Sequence, residues 1–112
     1  TLIRDPPPGS AVLEDEIFGP VLPVMAVADL DDALEQANGT RYGLGASVWT
    51  RDLHVAREFF SQVQAGIVWV NRHLTVLPEV PFGGVKESGT GRENGIQAYF
   101  NWTRTKSVFV DW

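Results

Sequence analysis

The chain has 112 residues, 44% hydrophobic and 21% charged, which is one domain's worth or one piece of a larger domain. Fourteen acidic residues against nine basic ones leave a formal net charge of -5, a sign that repels phosphate backbones and argues against nonspecific nucleic-acid binding. Cysteine is absent, so disulfides, a zinc ribbon and a thiol nucleophile are all excluded within these residues.

No stretch approaches the roughly 18 apolar residues that a membrane helix requires. The least polar run, residues 17–28, is too short and contains Pro20 and Pro23. The first residues show no basic region followed by an apolar one, so no signal peptide is visible. The only methionine is Met25, and the expectation is a chain cut from something longer and cytoplasmic in location.

Taken in chain order, residues 1–4 are short and apolar and stop at Asp5-Pro6-Pro7-Pro8-Gly9, a loop or turn. Residues 21–28 read as a buried strand, with Pro23 demoting its start or placing it near an edge. Asp29 is a helix N-cap with Asp31 and Asp32 in the first turn. Ala33, Leu34 and Ala37 form that helix's apolar face, and Asn38-Gly39 stops it. Residues 44–49 suit a strand. Asp52 caps a second helix whose apolar face is Leu53, Ala56, Phe60 and Val63, ended by Gly66. Ile67-Val68-Trp69-Val70 is a buried strand stopped at Asn71. Residues 81–95 hold five glycines and cannot be regular over most of their length. Residues 105–112 are expected to end the chain as a strand, with apolar side chains on both faces and a need for a partner sheet. The β-α-β-α-β rhythm predicts an α/β fold with largely parallel strands.

Three clusters could carry chemistry. The glycine-rich segment lacks the Gly-Lys-Ser/Thr of a Walker loop, and Gly89-Thr90-Gly91 with Gly95 is one residue too long for a dinucleotide fingerprint. Its residues read better as close backbone approaches and positive φ angles. Glu14-Asp15-Glu16 precede Ile17-Phe18-Gly19-Pro20; they could accept hydrogen bonds from a hydroxylated ligand or form a solvated acidic turn. His54 and His73 lack metal-ligand spacing, and no Gly-x-Ser-x-Gly elbow supports a serine triad.

Four motifs in order give a more specific reading. Glu16-Ile17-Phe18-Gly19-Pro20-Val21 resembles the E-I-F-G-P-V element of the NAD(P)-dependent aldehyde dehydrogenase superfamily. Asn38-Gly39-Thr40-Arg41-Tyr42-Gly43-Leu44 is similar to its A-N-x-T-x-Y-G-L stretch. Residues 64–71 resemble its A-G-x-x-W-V/I-N strand. Residues 81–95 are similar to its P-F-G-G-x-K-x-S-G-x-G-R-E-x-G signature. The resemblance covers the whole chain but only about the last fifth of a family member, residues 1–104 corresponding to part of the catalytic domain and residues 105–112 to its oligomerisation strand.

By that resemblance, Glu16 holds the ribose hydroxyls of the nicotinamide half of NAD or NADP, and Phe18 packs beside the nicotinamide ring. Val76 and Phe82 fall on substrate-tunnel positions, and Glu93 on a glutamate with a water-ordering or proton-relay role. Asn71, Arg92 and the glycines look structural. The terminal strand resembles the segment that pairs with a neighbouring subunit's sheet in a dimer or tetramer. In the family a cysteine thiolate attacks the aldehyde, hydride passes to NAD(P), and water hydrolyses the resulting thioester. That cysteine, the general-base glutamate, the oxyanion asparagine and the dinucleotide fold lie upstream of the matching region, so these residues alone should not oxidise aldehydes. The alternative is a non-catalytic oligomerisation or regulatory module built from the same segment. Leu74-Thr75 and Glu79 resemble the betaine-aldehyde and aminoaldehyde members, where a glutamate near the tunnel suits a cationic substrate.

Overall fold

Capping carboxylates set the two longest helices. A computed structural model describes all 112 residues, and in it α2 (Leu30–Asn38) begins where Asp29 accepts the Asp32 N–H at 3.0 Å. Asp32 reaches back to accept the Ala28 N–H at 2.8 Å, so one open donor of the first turn and the donor just before the cap are satisfied by the same pair of carboxylates. Asp52 opens α3 (Leu53–Gln62) by accepting the His54 N–H at 2.8 Å. The helices pack together and bury Leu34 from α2 with Ala56 and Phe59 from α3. Leu53 and Phe60, expected on the buried face of α3, are 84% and 52% exposed, because nothing in this chain covers their side of the helix.

Three two-stranded sheets make the fold α/β. β1 (Leu2–Arg4) runs parallel to β2 (Leu22–Val24), with the single-turn helix α1 (Ala11–Glu14) between them. β4 (Gly45–Val48) runs parallel to β5 (Ile67–Val70), with α3 as the crossover and Ser47 opposite Trp69. β3 (Tyr42–Gly43) pairs antiparallel with β6 (Val85–Lys86), the one exception to the parallel expectation. α4 (Gly95–Asn101) follows the glycine-rich segment.

Side-chain acceptors explain the strand that came out short. The 21–28 strand shrinks to Leu22–Val24 because the Ala26 N–H turns to Asp5 Oδ1 at 3.0 Å and the Ala28 N–H to Asp32. Pro23 does lie at a sheet edge, since its sheet has two strands. The 44–49 strand divides at Leu44, the preceding residues pairing with β6 and the following ones with β5. α3 stops at Gln62, not at Gly66, because Val63 is already extended with ψ 132°. Residues 105–112 form no strand and, with residue 104, make no backbone hydrogen bond; all are exposed. Two-sided apolar character cannot create a strand without a neighbour to pair with.

The chain is incompletely buried. Only seven residues are buried, and the accessible surface is 9050 Å², against the roughly 6100 Å² usual for a folded monomer of this mass. The radius of gyration is 18.6 Å, where a self-contained domain of this length has about 13 Å.

Candidate functional site

The site is built by tying the glycine-rich segment to strands far away in sequence. Arg92 Nη1 donates to the carbonyls of Gly84 at 2.7 Å and Gly91 at 2.9 Å, folding the segment back on itself. The backbones of Phe82 and Glu93 exchange two hydrogen bonds of 2.7 Å, which sets these residues side by side. Asn101 of α4 donates to the Arg92 carbonyl at 2.6 Å. A Cβ on Gly66 would overlap the Gly83 carbonyl, so the start of β5 can sit against this segment only with glycine there. The Ser88 hydroxyl accepts the Gly43 N–H at 3.0 Å. Lys86 donates to the carbonyls of Asn38 at 2.7 Å and Thr40 at 3.0 Å, a cation at the C-terminal end of α2 where the helix dipole favours it.

Two adjacent clefts result. One, of about 430 Å³, is lined by Phe82, Arg92, Glu93 and Trp102. The other, of about 340 Å³, is lined by Glu16, Tyr42 and Gln64. Leu44 and Ser88 line both and stand between them. The structure therefore brings Phe82 and Glu93 together and sets Glu16 in the neighbouring cleft. It does not bring Phe18 or Val76 into either: Phe18 is 93% exposed and Val76 lies on the loop after β5, also exposed. The largest cavity, about 760 Å³, lies by Asp5, Glu14, Asp15 and Arg41 and holds none of the five expected site residues.

The electrostatics are those of an open surface. Arg41 stands 3.8 Å from Asp15 and 3.7 Å from Glu87 and lies over the Tyr42 ring at 4.9 Å, linking the second and fourth motifs to the residue just before the first through exposed, weak pairs. Glu14, Asp15 and Glu16 are all exposed, and the carboxylates of Glu16 and Glu93 make no hydrogen bond or ion pair. The groups left free by the fold are a carboxylate and an aromatic ring, the chemistry that a ribose and a planar ring would need. A free carboxylate accepts from ribose hydroxyls, and the bare Phe18 ring offers an apolar face to a planar ring.

The aldehyde dehydrogenase family model matches residues 1–108. The chain belongs to the aldehyde dehydrogenase family. Aldehyde dehydrogenase [NAD(P)+] 2 of Saccharomyces cerevisiae is 46% identical over 111 residues, which are 99% of this chain and 22% of the yeast protein. Betaine aldehyde dehydrogenase of Vibrio vulnificus is 46% identical over 99 residues, 88% of this chain and 20% of that protein. The P. syringae indole-3-acetaldehyde dehydrogenase solved with NAD+ and IAA superposes with a TM-score of 0.90 at 36% identity, over 99% of this chain and 22% of that one. The chain thus spans about a fifth of the length of the relatives it matches.

Several residues that shape the segment were not legible as functional. His73 Nδ1 pairs with the Ser47 hydroxyl at 3.2 Å, and its ring stands edge-on to Trp69 with centroids 5.5 Å apart. Lys86 and Ser88 act across more than 40 residues of sequence. The signal available for Lys86 was its place in the P-F-G-G-x-K-x-S motif, which marks it without saying what it holds.

Proposed function

We propose that these residues form the C-terminal part of an NAD(P)-dependent aldehyde dehydrogenase that oxidises an aldehyde to a carboxylic acid, the nucleophilic cysteine being supplied from outside them. The observation that carries this reading is the adjacency of the Glu16 cleft and the Phe82–Glu93 cleft across Leu44 and Ser88. An unpaired carboxylate and an open cleft with Phe82 and Trp102 among its lining, one wall apart, suit a ribose and an aldehyde that must meet.

In this reading Glu16 accepts hydrogen bonds from the nicotinamide ribose hydroxyls and so fixes where the ring stands. Phe18 packs on the ring and excludes water from one face. Phe82 and Val76 line the aldehyde's path. Glu93, held opposite Phe82 by two backbone hydrogen bonds, orders water or passes a proton at its carboxylate. Bound NAD(P) supplies the acceptor for the aldehyde's hydride. Residues 105–112, whose backbone groups have no partner in this chain, pair with the sheet of a second subunit. A cationic aldehyde would find its counter-charge in Glu79, which lies two residues before Pro81.

The test is aldehyde-dependent reduction of NAD+ and NADP+ by the longest natural protein that carries this chain, with Glu16→Gln beside it. The expected result is activity in the parent and a KM for the dinucleotide raised about tenfold in the variant, matching the loss of one charge-assisted hydrogen bond of about 1.5 kcal/mol. A variant with an unchanged dinucleotide KM removes Glu16 from the cofactor site; a parent without activity on any aldehyde overturns the reading.

A further inference from the structure

The loop that follows β5 is held by more than its ends require. Asn71 and Leu74 both have positive φ, 52° and 53°, and neither is glycine. Each such residue costs about 1 kcal/mol or more and persists only where its surroundings impose it. Asn71 is imposed by its side chain, which accepts the Thr50 N–H at 2.8 Å and donates to the Thr50 carbonyl at 2.7 Å.

Beyond Asn71 the loop folds onto Trp69, the one largely buried aromatic of the β4–β5 sheet at 8% exposure. The Trp69 indole N–H donates to the Thr75 carbonyl at 2.8 Å. His73 rests edge-on against the same ring, and its Nδ1 is held by Ser47, Trp69's cross-strand neighbour. Three residues after Thr75, the Pro78 carbonyl accepts the Gly95 N–H at 2.9 Å. Val76 therefore lies on a short span tied at Thr75 to β5 and at Pro78 to the end of the glycine-rich segment. Val76 itself is 43% exposed.

We propose that Trp69 and His73 are positioning residues that select the aldehyde, through the Trp69–Thr75 and Ser47–His73 hydrogen bonds that fix the span carrying Val76. This rests on the reading of Val76 as a tunnel-lining residue. A displacement of Val76 by a fraction of a side chain alters which aldehydes fit, and apolar pockets discriminate one methylene by tenfold or more.

Trp69→Phe keeps an aromatic ring and removes the N–H donor together with part of the indole volume; Ser47→Ala removes only the partner of His73, so an effect shared by both variants reads the hydrogen-bonded positioning. In the longest natural protein carrying this chain, kcat/KM is measured for propanal and phenylacetaldehyde, together with the KM for NAD+. The expected result in both variants is a shift of at least about fivefold in the ratio between the two aldehydes, with the KM for NAD+ within about twofold. An unchanged ratio, or an equal loss on both aldehydes, overturns the proposal. Methyl relaxation of Val76 gives a readout without turnover. Its order parameter falls in Trp69→Phe if the span is held as described, and an unchanged value overturns the positioning even where the parent protein oxidises neither aldehyde. That last result alone, parent inactivity, counts against the proposed function and leaves the relaxation result to judge the positioning.

Discussion

At Gly66 a single missing atom decides a junction. The Gly83 carbonyl occupies the space a Cβ would need, so Gly66→Ala must separate β5 from the segment that carries Phe82 and Glu93. The expected cost is about 3 kcal/mol, read as a lower midpoint in denaturant unfolding of the full protein. Arg92 is the polar counterpart. Its Nη1 donates to two carbonyls at 2.7 and 2.9 Å, bonds that a side chain without a donor cannot make. Arg92→Met should cost about 2 kcal/mol, read as a lower denaturation midpoint; under the role proposed above for Glu93, kcat also falls while the dinucleotide KM stays constant. Both residues sit inside recognisable motifs, and their structural character was readable from residue type. Their partners were not, because Gly83 and Gly84 are met across a fold and not along a periodic face.

Among the elements, α2, α3 and β5 were legible, the helices from their caps and the strand from its apolar run. Asp29 and Asp52 announce helix starts through their side chains, and Ile67-Val68-Trp69-Val70 is an unbroken apolar run between Gly66 and Asn71. α1 and α4 were not, because neither Ser10 nor Asn94 makes a side-chain cap bond and α4 opens on glycine. β3 and β6 have two residues each, too few to show alternation. The cap of α2 carries a pH dependence. The Ala28 N–H, and after it the Gln36 amide, hold the Asp32 carboxyl below its ordinary value of 3.8. A lowered value in the folded state means stability that is present above the unfolded value and lost as pH falls through the folded one. Asp32→Asn should therefore lower Tm at neutral pH, and the difference from the parent should vanish once pH is well below 3.8.

As a whole molecule, the chain leaves unburied what a domain buries. The core holds Leu34, Ala56, Phe59 and Trp69, while Phe18, Trp49, Leu53, Trp102, Phe109 and Trp112 are each more than two-thirds exposed. About 2900 Å² of surface beyond the usual amount for this mass remains accessible. The 112 residues expressed alone should associate, and sedimentation showing a dispersed 12.4 kDa monomer would contradict that. The shape was not legible in a composition that allows a modest core, because composition does not say which apolar residues find neighbours within the chain. If residues 1–112 are about 22% of the natural protein, as they are of the yeast relative, that protein has a mass of about 56 kDa. The denatured intact mass of the protein from its natural source tests this most directly. A value near 56 kDa is predicted, with Glu16 and Phe18 completing a cofactor site built mostly elsewhere; a value of 12.4 kDa would contradict it and leave those two residues as half a site with no chemistry to serve.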